Sequence, residues 1–270
     1  MARTAKHLLN ELALPGPHEV MRGDLALVGV PGVVITPATG LGLPAIAFGH
    51  GWLQPPGRYH ALFRHLASWG IVVAAPGTHA GPLGSHRLLA ADLRTALDVC
   101  VGVRLGDGAI SVDEHRLGLA GHSTGGGSAV LAAAQDERVR AVATLAAAET
   151  RPFASEAATR CHMPSLHVVG GRDVVAPQQG HGELIAKAWA GPTQVRVLPK
   201  ASHLGFTEGW HWSGLLVQGK AEHGTHRLSR ALLTAFFLVE LAGRTEYRPL
   251  LDEELKGTET VLQTLAGQPA

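Results

Sequence analysis

The sequence predicts an α/β fold with a mostly parallel, doubly wound sheet that is antiparallel at its N-terminal edge. It forms one domain over residues 1–270. Three observations carry this. Short apolar runs rich in Val, Ile, Leu and Ala alternate with segments of helical periodicity, the pattern of a sheet covered on both faces. The first two runs have no helix between them, so they start the sheet as an antiparallel pair. Finally, Gly121-His122-Ser123-Thr124-Gly125 stands between an apolar run and a small-residue run, which is a strand-to-helix turn carrying a serine.

Along the chain, residues 4–14 bring Leu8, Leu9 and Leu12 to one helical face before Pro15-Gly16-Pro17 ends the segment. Strands are expected at 25–30, 32–36, 45–48, 71–75, 117–120, 139–145, 166–169 and 194–198. Helices are expected at 59–69, 86–103, 126–135, 181–189 and 225–242. Cys100 falls in a helix and Cys161 in a loop, and both read as buried free thiols.

Composition narrows the function classes. The chain has 270 residues, 46% of them hydrophobic, enough for a full core in one domain. Its formal net charge is +1, without a run of Lys or Arg, which argues against nucleic acid or an anionic membrane as partner. Residues 1–20 hold no secretory apolar region and no stretch has the length of a membrane span, so a cytoplasmic protein is expected. His223 and His226, or His60 and His65, are spaced for a shared metal. No His-Glu-x-x-His or paired Cys spacing joins them, and no metal or cofactor is expected.

In open sheets of this kind, chemistry gathers at the carboxyl ends of the strands. Ser123 stands at one such end. The turn after Phe48 reads Gly49-His50-Gly51-Trp52, where two glycines admit a close backbone approach. The N–H of Trp52 can pair with that of Thr124 to hold a developing oxyanion. The alternative is a plain turn with Trp52 packed in the core. The turn after Val169 holds Asp173, suited to orient an imidazole, or otherwise to cap a turn or pair with Arg172. The loop after Leu198 holds His203, a base for Ser123, with His211 as its rival. Asp98, Asp113, Asp136 and Glu137 stand at the wrong places in the order of elements to serve as the acid.

Four motifs together resemble the α/β-hydrolase superfamily, within it the dienelactone-hydrolase-like, chlorophyllase-like and cutinase-like polyester hydrolase group. They are Gly-His-Ser-x-Gly-Gly-Gly at 121–127, Trp52 after a glycine, Asp-x-x-Ala-Pro at 173–177 and Ala-Ser-His at 201–203. The interval from Trp52 to Leu66-Ala67-Ser68 is also similar. The resemblance implies a triad of Ser123, His203 and Asp173, an oxyanion hole from the Trp52 and Thr124 N–H groups, and no cofactor. It implies a serine esterase.

The chain departs from the polyester hydrolases of that group in three ways. It shows no export signal, it has Thr124 where methionine is usual, and it has Ala146-Ala147-Ala148-Glu149 where they present a Trp wall. Only a loop and one short helix fit between residues 145 and 166, so no large lid is expected. A small or medium soluble ester is the expected substrate, with polymer cleavage, or acyl transfer to an alcohol or peroxide, as alternatives. A non-catalytic binding protein on the same fold is the alternative from another class. The loop at 204–224, with Phe206, Trp210, His211 and Trp212, supplies either an apolar wall or anchors that pack it down.

Overall fold

The computed structural model describes residues 3–209 and 222–264. The chain runs through α1 (Ala5–Leu12), β1 (Val20–Asp24), β2 (Gly32–Pro37), β3 (Gly40–Gly49), α2 (His60–Ser68), β4 (Val72–Pro76) and α3 (His86–Gly102). It continues through β5 (Ile110–His122), α4 (Thr124–Ala133), β6 (Val139–Leu145), α5 (Ala154–Ala158), β7 (Ser165–Gly170) and α6 (Gly182–Lys187). Then come β8 (Thr193–Leu198), α7 (His223–Glu240), α8 (Pro249–Asp252) and β9 (Glu259–Thr264).

The strands form one open sheet in the order β1-β2-β4-β3-β5-β6-β7-β8-β9. Pairs β1/β2, β2/β4 and β8/β9 are antiparallel and the others parallel. Two buried apolar layers flank it. One includes Leu8, Leu12, Phe63, Leu66, Leu232 and Phe237, from α1, α2 and α7. The other includes Leu93, Leu97, Val130, Ala157 and Ile185, from α3 to α6. This is the doubly wound α/β architecture that the alternation of apolar runs and helices predicts. The connection from β6 to β7 carries only α5, so no large lid interrupts it.

Local chemistry explains the elements. The Thr4 hydroxyl accepts from His7 N–H (3.4 Å) to start α1, whose Leu8, Leu9 and Leu12 are buried. Each such leucine contributes about 1.5–3 kcal/mol on burial. Ser85 caps α3 through Leu88 N–H. Cys100 on α3 and Cys161 after α5 are buried free thiols, and burial pushes both up to about 12. No helix among the described residues is long and apolar enough to cross a membrane.

Two expectations are corrected. Residues 25–30 are not a strand. Leu25–Val28 is a 3₁₀ turn, and the edge strand is β1 just before it. Asp24 accepts from Ala26 N–H (2.9 Å) and starts the turn, while Gly29 at φ 86° closes it. The second correction is β9, which the sequence reading did not include. Arg196 on β8, fully buried, donates to the Leu251 carbonyl, to the Glu253 carbonyl (3.0 Å) and to Thr258 Oγ1 (3.4 Å). It thereby holds the connection that returns the chain as β9.

At the centre of the sheet the main chain of β3 touches α4. A β-carbon on Gly125 would sit 2.2 Å from the Gly49 carbonyl oxygen and 2.3 Å from that of His50. Gly125→Ala should therefore cost about 3 kcal/mol, at the upper end of overpacking, read as a lower urea midpoint. Gly57→Ala, which meets nothing within 4 Å, should leave the midpoint within error.

Candidate active site

Ser123 lies between β5 and α4 at φ 56°, ψ −128°, a conformation that costs on the order of 1–3 kcal/mol and must be held from outside. Its N–H donates to the Leu145 carbonyl (3.0 Å). Its carbonyl accepts from Gly126 (2.9 Å), Gly127 (3.2 Å) and Ala148 (3.0 Å). These bonds tie the turn to the end of β6 and the loop beyond it.

Asp173 follows β7. Its Oδ1 accepts from Val175 N–H (2.9 Å) and Ala176 N–H (2.8 Å), and its Oδ2 accepts from His203 Nδ1–H (2.7 Å). The carboxylate thus caps its own turn and orients the ring, with its side chain 1% exposed. With Nδ1 donating, Nε2 of His203 accepts from the Ser123 hydroxyl at 2.8 Å. Three residues 30 and 80 positions apart are in one hydrogen-bonded line. His211, the rival to His203, lies outside the described residues, as do Trp210 and Trp212.

The turn after β3 sits against the serine. A β-carbon on Gly51 would be 3.2 Å from Ser123 Cβ. The N–H of Trp52 has no partner among the described residues. Thr124 is the first residue of α4, so its N–H precedes the helical ladder. Trp52 is 44% exposed, so it is not packed in the core, and its indole N–H donates to the Pro82 carbonyl (3.2 Å). Phe206 is buried and anchors the loop after His203.

Residues that the sequence reading passed over complete the surroundings. Gly51 N–H donates to the Tyr59 hydroxyl (3.1 Å), which donates to His122 Nδ1 (2.9 Å), and His122 Nε2–H donates to the His203 carbonyl (3.0 Å). Arg58 donates to Gln54 Oε1 (3.1 Å), Thr207 Oγ1 (2.7 Å) and the Gly209 carbonyl (2.6 Å). Glu208 accepts from the Ala61 and Leu62 N–H groups at the start of α2 (2.7 and 2.8 Å). Glu222 accepts from Ser202 N–H and Oγ–H. His122 had been visible as the variable residue of the serine motif; the others had no local signal.

In the loop after β6 Glu149 caps α5 through the Ala154 and Ser155 N–H groups (3.1 and 2.9 Å). Arg151 covers the Phe153 ring at 3.9 Å. One histidine of each pair weighed for a metal is engaged elsewhere: His65 Nε2–H donates to the Leu12 carbonyl and His226 Nε2–H to that of Thr207. Among the described residues no group of three or more His, Cys, Asp or Glu is arranged to hold a metal ion.

A model of the PET hydrolase-like family matches residues 13–208. The chain belongs to that family. The match covers every strand from β1 to β8, together with Ser123, Asp173 and His203. Membership in the PET hydrolase-like family implies an ester hydrolase of the polyester and cutinase type. No curated protein matches the chain.

Burial holds two histidines neutral in this hydrolase. His122 is lowered well below the ordinary 6.5, first by burial and then by the neighbouring His203, and His167 on β7 is lowered to about 3 by burial. Below pH 6.5 the unfolded chain takes up protons at these positions that the folded one does not. Stability therefore rises with pH through this window and falls as pH drops from 6.5 toward 3, by up to about 1.4 kcal/mol per pH unit for each group. Urea midpoints taken from pH 7 to pH 5 should show this fall, and His167→Gln should make it shallower.

Proposed function

We propose that the chain is a serine carboxylic-ester hydrolase that works through an acyl-enzyme and prefers small or medium soluble esters. The observation that carries this reading is the hydrogen-bonded line from Ser123 Oγ through His203 to Asp173. As Oγ attacks the ester carbonyl carbon, Nε2 of His203 takes the hydroxyl proton. The carbonyl oxygen becomes an anion within reach of the Trp52 and Thr124 N–H groups, and such donors are worth about 2.7–4 kcal/mol each at the transition state. Asp173 stabilises the imidazolium, which then protonates the departing alkoxide. Water repeats the sequence on the acyl-enzyme, with His203 again as base, and releases the acid.

The substrate preference rests on the rim. Trp52, in the turn that sits against Ser123, is a half-exposed aromatic residue. The loop after β6 presents small residues, a capping carboxylate and an aromatic ring already covered by Arg151. The second reading, cleavage of an aromatic polyester, is favoured by the family match over residues 13–208.

Hydrolysis of p-nitrophenyl acetate, butyrate and octanoate should peak at a short chain, and Ser123→Ala should lose on the order of 10⁶ in kcat. Asp173→Asn should lose about 10⁴, because the wrong imidazole tautomer is then favoured. Release of soluble aromatic acid from a polyester film at a rate matching butyrate would replace the small-ester preference with the polymer reading. Equal rates in wild type and Ser123→Ala would overturn the hydrolase mechanism itself.

A further inference from the structure

The chain of bonds beneath the serine joins two parts of the site that no covalent segment connects closely. Gly51 precedes Trp52, whose N–H is the proposed oxyanion donor, and His203 carries the imidazole. A main-chain N–H can only donate and a carbonyl can only accept, so the three bonds Gly51–Tyr59–His122–His203 admit one arrangement of protons. In it, Tyr59 accepts from Gly51 and donates to Nδ1 of His122, and Nε2 of His122 donates to the His203 carbonyl. Tyr59 and His122 are both fully buried, so water does not substitute for either partner.

The surroundings hold the pair in place. Tyr59 packs on Phe48 at 4.9 Å and on Phe63 at 6.0 Å between ring centroids. The His122 ring lies 4.9 Å from that of His203 and 6.1 Å from Phe206. A β-carbon on Gly51 would come within 3.0 Å of His122 Nδ1, so the turn rests directly on the pair. Burial keeps His122 neutral, which preserves the one proton arrangement across the working pH range.

We propose that Tyr59 and His122 are a positioning pair that sets the separation between the oxyanion turn at Gly51 and Trp52 and the imidazole of His203. The proposal rests on the ester-hydrolase reading of Ser123. Neither side chain touches the substrate. The pair acts on the transition state alone, because only there must the oxyanion donors and the imidazole be in register.

The test is steady-state kinetics on p-nitrophenyl butyrate with thermal unfolding of the same samples. Tyr59→Phe keeps the ring and removes one hydroxyl. It should lower kcat by about ten- to a hundredfold, the scale of a small misplacement of reacting groups, with KM within about twofold. His122→Phe removes both bonds and should lose at least as much. His122→Gln offers an amide N–H to the His203 carbonyl and should recover about tenfold of that loss. The double variant Tyr59→Phe/His122→Phe should be no slower than His122→Phe alone, since the two act as one unit.

A purely structural role would lower the unfolding temperature and leave kcat per active serine at the wild-type value, counted by phosphonate titration. That result overturns the proposal, as does a double variant whose losses multiply. If His122→Phe does not fold, Tyr59→Phe decides by the same kcat and KM split. Wild-type kcat in Tyr59→Phe with an inactive Ser123→Ala removes the positioning pair and leaves the hydrolase reading standing. An active Ser123→Ala removes that reading itself.

Discussion

Ser123 holds a left-handed backbone only because three pieces of main chain meet around it with no side chain between them. Gly49 ends β3, Gly121 lies near the end of β5, and Gly125 lies in the first turn of α4. A β-carbon on Gly121 would stand 2.3 Å from the Gly125 carbonyl oxygen, and one on Gly49 would stand 2.5 Å from it. Glycine at these points admits a helix start directly against the sheet. The strain at Ser123 is then offset by four main-chain bonds, two with Leu145 and Ala148 on the β6 side and two with Gly126 and Gly127 of α4. Parallel pairing of β5 with β3 and β6 places the three strand ends at one edge. The turn after β3, the serine and the loop after β6 therefore converge there.

Which of these features were legible in the sequence follows from their range along the chain. The alternation of apolar runs and helices is local, and it predicted the sheet and its winding. The order of Ser123, Asp173 and His203 was legible because each follows an apolar strand, and the topology puts those strand ends together. The 25–30 run reads as a strand because its five apolar residues outweigh the turn signals at Asp24 and Gly29, which are equally local. Strand β9 is different. Its burial alternates only between intermediate and exposed, and its place depends on Arg196, 55 positions before the nearest end of the bond to Leu251. No spacing rule reaches that far.

The same limit explains why Tyr59, Arg58 and Glu208 were invisible. Tyr59 bonds to His122 across 63 positions, and Arg58 reaches Thr207 across 149. In a local reading Tyr59 is an aromatic at a helix start and Arg58 a surface cation. The fold makes both buried, and a buried guanidinium needs acceptors on every side. Burial lowers the Arg58 pKa, while Gln54, Thr207 and Gly209 supply the oxygens that hold it. Such residues become legible only once two strand ends are known to lie side by side.

Arg58 and Glu208 also show how a site assembled from distant segments keeps its geometry. Arg58 comes from the segment after the turn that follows β3 and grips residues 207 and 209. Glu208 comes from the segment after His203, and its carboxylate sits on the first N–H groups of α2, where a helix favours negative charge. Its own N–H donates back to the Arg58 carbonyl at 2.7 Å. Each segment thus supplies a charged group whose partners lie on the other, so neither can shift without breaking the bonds that hold both. The clasp thereby holds the turn after β3 and the loop that carries His203 to each other.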